Sequence, residues 1–330
     1  LSTKLKSVIQ YTVIGLIGAL FLYFVFKGTD WADLMLKFKH TNYWWIAAGM
    51  SVSVISHYIR AYRANMLYKA LGYTVSAKNS FYAVMIGYMM NYIIPRAGEV
   101  SRCASLLKTN DIPVNKSLGT VVTERVFDVV ILLLLLLVVF LMQFELLSNF
   151  VLKNIINSNP SSADHTLKYV VIGFSLVLGV LLLIMRKKII AHPLLQKIVL
   201  VFKGFAEGLM SIRKINNPLL FLLLSIGIWI CYVLMMYFCL FAMQATEHLS
   251  LMDCLTVFVI GSLGMIIPAP GAGAGTYHFA VMQSLLLFGV AQADGIAYAT
   301  IVHGVQMILL LAIGGFCSLL VLAQHKKKLA

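Results

Sequence analysis

Arg96, Glu99 and Arg102 follow Pro95 at three-residue spacing, so a helix starting there carries all three on one face. Glu124 and Asp128 are four residues apart and share a face of another helix, with Arg125 three residues before Asp128. Arg60 and Arg63 close a long apolar stretch, with His57 one turn earlier. These groups lie in or against sequence apolar enough to enter a bilayer, where each costs about 2.5–3.5 kcal/mol on insertion scales. Two explanations fit. The charges can pair with one another, Arg96 or Arg102 with Glu124 for instance, and hold neighbouring helices together. Alternatively, Arg60, Arg96, Arg102 and Arg125 line one cavity open to the cytoplasm, partly neutralised by Glu99, Glu124 and Asp128. Arginine suits a phosphate through its forked donors. Because a buried pair often adds little net stability, architecture alone is a weak reason for so many charges. Arg96 and Glu99 are the first pair expected to touch an anion, at the N-terminus of a short helix after Pro95 and Gly98.

A second constellation is nearly neutral. The stretch from Met265 to His278 contains Pro268, Pro270, Gly271, Gly273 and Gly275, then Tyr277 and His278, and His303 follows in the next apolar run. Two histidines near a broken helix suggest a proton relay or a headgroup contact, although a single buried histidine is more often a satisfied core residue. No metal site is expected, because no His, Cys or carboxylate cluster has ligand spacing. The five cysteines show no CxxC pair and mostly sit in apolar runs, so they read as core residues.

These residues need a membrane to position them. Of the 330 residues 61% are apolar and 12% charged, against roughly 45–50% and roughly 25% in soluble domains. Mean hydropathy is +0.91. The expected fold is all-α: a polytopic integral membrane protein forming a single transmembrane domain over 1–330. Continuous apolar runs argue against a transmembrane barrel. Spans are expected at 7–26, 43–64, about 120–142, 168–185, 217–243 and 296–322. The run from Val129 to Met142 is only about 21 Å long as a helix. Its helix must therefore begin earlier, which draws Glu124, Arg125 and Asp128 toward the membrane.

Ile-Ile-Pro followed by glycine ends an apolar run twice, at Pro95 and at Pro268, each time third in its half of the chain. Interrupted hydrophobic segments at matching positions point to a midplane site in inverted-repeat transporters. Asn91 precedes the first break. The expected halves are 1–142, with a hairpin at 80–110, and 168–322, with a hairpin at 251–290. A cytoplasmic amphipathic linker at 186–216 joins them, its apolar residues recurring at helical spacing over 192–212. The net charge of +14 reads as topology and not as nucleic-acid binding. Placing 1–6, 57–79, 96–116, 186–214 and 323–330 inside collects twenty of the 26 Lys and Arg residues on the cytoplasmic side. That assignment makes 80–110 and 251–290 oppositely inserted re-entrant hairpins, beside six full spans, with both termini cytoplasmic. The first helix is expected to be retained, since no small-residue cleavage site follows it.

Asn91, Pro95, Arg96, Gly98, Glu99 and Arg102, with Glu124-Arg125, Asp128 and the loop from Pro268 to Gly275, resemble the lysylphosphatidylglycerol synthase transmembrane family, also called flippase-like or UPF0104 proteins. The resemblance implies an integral membrane domain that handles or flips lipid, in some members fused to a soluble aminoacyl-transfer domain. That domain is not expected here, since two residues follow Lys328. Ala272 and His278 stand where the family pattern has a glycine and an acidic residue. The leading expectation is a lipid flippase or lipid-linked carrier in the cytoplasmic membrane of a prokaryote, binding an anionic headgroup between the hairpins. Its partner would be a membrane phospholipid or a polyprenyl-phosphate-type lipid, with no nucleic acid and no cofactor, and with self-association left open. The alternatives are an intramembrane lipid-modifying enzyme or its accessory subunit, with Glu124 and Asp128 as acid and base, or a proton-coupled carrier of a small solute. No nucleophile–base constellation, P-loop or HExxH favours the enzyme.

Overall fold

A computed structural model describes residues 3–146, 148, 215–267 and 269–329. The expected span at 168–185, almost all of the linker at 186–216, and Pro268 lie outside the described residues. The chain divides into one unit of Leu1–Val139 with Lys214–Ala330 and another of Phe140–Arg213. The first holds both constellations. In the second, the rings of Phe140 and Phe144 meet edge to face at 5.3 Å.

Helices begin where the sequence supplies side-chain acceptors for free N–H groups. In the first half they are α1 (Thr3–Phe26), α2 (Trp31–His40), α3 (Tyr43–Ala70), α4 (Ala77–Ile93), α5 (Gly98–Asn110) and α6 (Val114–Met142). The later segment gives α7 (Pro218–Leu240), α8 (Leu251–Ile266), α9 (Thr276–Leu286) and α10 (Gln292–Leu329). Asn42 accepts the Trp44 N–H at 3.1 Å, Ser76 that of Asn79 at 3.2 Å, and Asn217 that of Leu220 at 3.1 Å. Ser250 and Asp253 form a reciprocal capping box before α8. There is no strand among the described residues.

Among the described residues three helices are long and apolar enough to cross a membrane: Val114–Met142, Pro218–Leu240 and Gln292–Lys326. The protein is an all-α, multi-helix membrane protein. Leu133, Leu134 and Leu137 of α6 are exposed, as lipid-facing side chains should be. The start of α6 at Val114 places Glu124, Arg125 and Asp128 inside a continuous helix.

The tightest packing uses glycine. A Cβ at Gly49 of α3 would lie 2.7 Å from the Met235 carbonyl of α7, so these two helices touch backbone to backbone. α4 and α5 fold back on one another. At their contact a Cβ on Gly98 would lie 2.2 Å from the Gly87 carbonyl and 2.5 Å from the Asn91 amide nitrogen. α8 and α9 also pack together, joined by a turn in which Gly271, Ala272, Gly273 and Gly275 all have positive φ. α10 touches both pairs: Leu310, Cys317 and Val321 pack on Met85 and Tyr92 of α4, and its first turns pack on α9.

The stretch 27–42 reads from sequence as a plain connection, yet it contains α2. Asp30 accepts the Ala32 N–H at 2.8 Å, and Lys37 donates to Asp294 at the start of α10 at 2.6 Å. That hydrogen bond raises the Lys37 pKa against a small opposing effect of burial. Because the folded value is raised, the pair's contribution is complete below the ordinary lysine pKa and fades only as pH climbs through the folded one.

Gly98→Ala should force α4 and α5 apart, costing about 1–3 kcal/mol through overpacking. Thermal unfolding in detergent should show this loss, whereas Gly119→Ala, where an added Cβ meets nothing within 4 Å, should not lower the midpoint.

Candidate functional site

Three helices deliver charge to one point and a fourth adds hydroxyls. α3 brings Arg60 and Arg63, α5 brings Arg102, α6 brings Glu124 and Asp128, and α7 brings Ser225 and Tyr232. Arg60 donates to Asp128 at 2.7 Å and Arg63 donates to the other oxygen of the same carboxylate at 3.1 Å. Arg102 grips Glu124 with both terminal nitrogens, at 2.7 and 3.2 Å. Arg63 reaches Glu124 at 3.5 Å and Arg60 lies 4.0 Å from it. All five side chains are buried.

Neutral groups complete the shell. Tyr68 accepts from Arg102 at 2.9 Å, Ser225 from Arg63 at 3.0 Å, and Tyr232 from Arg60 at 3.2 Å. Tyr88 and Tyr232 exchange a hydrogen bond at 3.1 Å. The guanidinium of Arg63 also sits 5.6 Å from the Phe221 ring centre. Three guanidinium ions against two carboxylates leave a formal charge of +1, and the Nε groups of Arg60, Arg63 and Arg102 are buried without partners. The cluster is therefore not closed electrostatically.

A narrow, open cleft lies beside it, with Arg60, Tyr88, Asn91, Glu99, Arg102 and Arg125 on its walls. Arg125 donates to Glu99 at 3.3 Å and lies 3.7 Å from Asp128. Its side chain is 46% exposed, so this pair can part at little cost, unlike the buried ones.

Of the residues singled out in the sequence, Arg60, Asn91, Glu99, Arg102 and Arg125 line the cleft, while Arg63, Glu124 and Asp128 form the buried cluster behind it. Charge pairing and a cleft lined by arginines thus occur together. Arg96 is the exception. It follows Pro95 in the turn with φ 65°, and its side chain is exposed and away from the cleft. Ala97 closes the turn as the N-cap of α5, and the Gly98 N–H is already taken by the Asn91 side chain at 2.8 Å. A shared anion held by Arg96 and that N–H is not what this geometry offers. Four partners were missed: Tyr68, Tyr88, Ser225 and Tyr232. Their signal was a hydroxyl inside an otherwise apolar helix, plainest for Ser225 and Tyr232 in 218–240.

The second constellation also assembles. Pro270, Gly271, Gly273 and Gly275 shape the turn, and Tyr277 and His278 start α9 beside His303 of α10. Ring centres of Tyr277 and His303 are 5.2 Å apart, and those of His278 and His303 are 5.0 Å apart. Among the described residues no group of three or more His, Cys, Asp or Glu could hold a metal ion.

Fold and site together define a helical membrane protein built around an arginine-rich buried cluster with an adjoining cleft. The chain matches the family described as lysylphosphatidylglycerol synthase TM region over residues 8–314, and it belongs to that family. It is also similar to UPF0104 membrane protein MJ1595 of Methanocaldococcus jannaschii, 29% identical over 133 residues, or 39% of each chain. The chain thus spans about two fifths of the length of the curated relative it matches. No solved structure matches it.

Glu124→Gln strands Arg102 and Arg63 beside a single remaining buried carboxylate and should cost about 3–5 kcal/mol. Glu99→Gln, at the half-exposed pair, should cost under about 1 kcal/mol. Denaturation of the two purified variants in the same detergent checks the ranking.

Proposed function

We propose that this protein is a lipid carrier that moves an anionic, phosphate-bearing headgroup across the membrane, with the headgroup bound in the cleft beside the arginine cluster. The observation that carries this reading is the uncompensated positive charge of Arg60, Arg63 and Arg102 over Glu124 and Asp128, next to a cleft that Arg60 and Arg102 themselves line. One anion neutralises that charge, and the Arg125–Glu99 pair is the part of the wall able to yield to it. Membership of a lipid-associated membrane family agrees with the reading. The lipid is a membrane phospholipid or a polyprenyl phosphate.

The path is built from six spans and two re-entrant hairpins in an inverted repeat, α4–α5 entering from the cytoplasm and α8–α9 from outside, with both termini cytoplasmic. Contacts between the ends of the elements support this. Thr74 and Asn79, before and at the start of α4, bond to Asn110 at the end of α5, and Lys328 at the far end of α10 pairs with Asp111. At the opposite end of α10, Asp294 meets Lys37, and the Asn42 N–H donates to Ala242. α5, at 13 residues and about 20 Å, is too short to cross a core of about 30 Å.

An enzyme using Glu124 and Asp128 as acid and base is less well supported, because guanidinium donors already occupy both carboxylates. We read the protein as a carrier and not as a catalyst.

The test is translocation of headgroup-labelled lipids in proteoliposomes. Arg125→Gln should slow transport about tenfold, equivalent to ~1.4 kcal/mol of lost headgroup interaction, while the protein stays folded. Arg96→Ala should stay within about twofold of wild type, a difference of under ~0.5 kcal/mol. Equal activity in Arg125→Gln and wild type would remove the cleft from the pathway. Cysteines placed at Lys78 and Lys108 should be labelled from one side, and labelling from opposite sides would remove the hairpin.

A further inference from the structure

One side chain of α10 joins the two helix pairs. Around His303 stand Tyr92 of α4, with ring centres 5.8 Å apart, and Tyr277 and His278 of α9 at 5.2 and 5.0 Å. His303 is 3% exposed and His278 6%. The backbone fixes the tautomer of the His278 imidazole. The Gly275 N–H donates to Nδ1 of His278 at 3.3 Å, so the neutral His278 ring carries its proton on Nε2. The Ala272 carbonyl is the backbone group that favours a proton on the His303 ring, and Nε2 of that ring is buried with no partner. A neutral imidazole has one N–H; with Nε2 unpartnered we place that proton on Nδ1, which leaves the bare lone pair on Nε2.

That atom is an unfilled proton acceptor at the contact between the two hairpins. The groups facing it are Tyr92 from α4, and Tyr277 and His278 from α9. Behind them stand Phe26 of α1 against His278, Cys239 of α7 and Cys254 of α8 toward Tyr277. Among the described residues no carboxylate or cation forms an ion pair with either imidazole. α4 links this contact to the arginine cluster, because Tyr88, one turn before Tyr92, lines the cleft and bonds to the Tyr232 hydroxyl that Arg60 also contacts.

We propose that Nε2 of His303 takes up one proton in each transport cycle, so that lipid movement through this protein is coupled to a proton gradient. The proposal rests on the carrier reading above. The proton comes from water on one face, adds to the Nε2 lone pair to give an imidazolium, and leaves to water on the other face as the neutral ring returns. Coupling follows from position. A charge appearing among Tyr92, Tyr277 and His278 requires solvation that this dry contact does not provide, so the protonated state draws the two hairpins apart. The neutral state restores the observed packing.

The experiment uses the purified full chain in proteoliposomes with the membrane potential clamped, a panel of labelled phospholipids together with a polyprenyl phosphate, and an imposed gradient of one pH unit. Coupling to one proton should bias the steady-state lipid distribution about tenfold between leaflets. His303→Gln should abolish that bias. Wild-type lipid movement that equilibrates without regard to the gradient overturns proton coupling and leaves the carrier reading standing. A bias that persists in His303→Gln overturns the assignment to His303. Absence of lipid movement with every headgroup removes the carrier reading and this one with it. Nitrogen-15 NMR of histidine-labelled wild-type protein tests the site without any variant: His303 should carry its neutral proton on Nδ1, and a proton on Nε2 overturns the proposal.

Discussion

Five ionised side chains removed from water constrain everything near them. Arg60, Arg63 and Arg102 with Glu124 and Asp128 could not be buried singly, because an isolated charge in this setting has no adequate solvation. Each is tolerable only while the others are present, so α3, α5 and α6 must meet at one level and in one register. α7 joins them through Ser225 and Tyr232, which absorb donors that the carboxylates cannot. The backbone contact at Gly49 that brings α3 against α7 is therefore a condition of the charge cluster as much as of the packing. A bilayer sharpens the constraint, since lipid offers no competing hydrogen bonds to a displaced arginine.

The two polar centres differ in kind. The first is charged, crowded with donors and open to a cleft. The second is neutral and aromatic, held by backbone groups at a turn whose φ values are all left-handed from Gly271 to Gly273. Ala272 keeps such a conformation without being glycine, a cost accepted only where surroundings over-determine the backbone. Here the surroundings are α4 and the His303 ring. On the proposed carrier reading, one charged and one neutral centre would treat an anion and a proton separately and still be connected through α4.

Much of this organisation was legible in the residues. Spacing of three and four put Glu124 with Asp128 and Glu99 with Arg102 on common faces, and the cost of charge in apolar sequence said that they must find partners. The Ile-Ile-Pro breaks marked both helix pairs. Two things were hidden for physical reasons. The position of Arg96 depends on a single left-handed φ in the turn, which spacing along a helix cannot convey. The partnership of Asn91 with Gly98 is a contact made across the turn, and it occupied the N–H that sequence reasoning had assigned to an anion. Hydroxyl partners such as Tyr68 and Ser225 were equally silent, because an uncharged side chain in an apolar helix raises no electrostatic alarm.

α1 is built early and satisfied late. Its Gly18 sits so close to the second turn that a Cβ there would lie 2.7 Å from Pro270, and Phe21 meets Phe279 edge to face at 5.5 Å. Roughly 250 residues separate these partners, and at synthesis rates of about 5–20 residues per second the interval is on the order of 10–50 s. Through that interval the glycine notch of α1 faces lipid or a temporary occupant within the insertion machinery. Biogenesis of this protein therefore includes a waiting period for α1, and a chain stalled before α8 and α9 leave the ribosome presents that notch to quality control as its most visible defect.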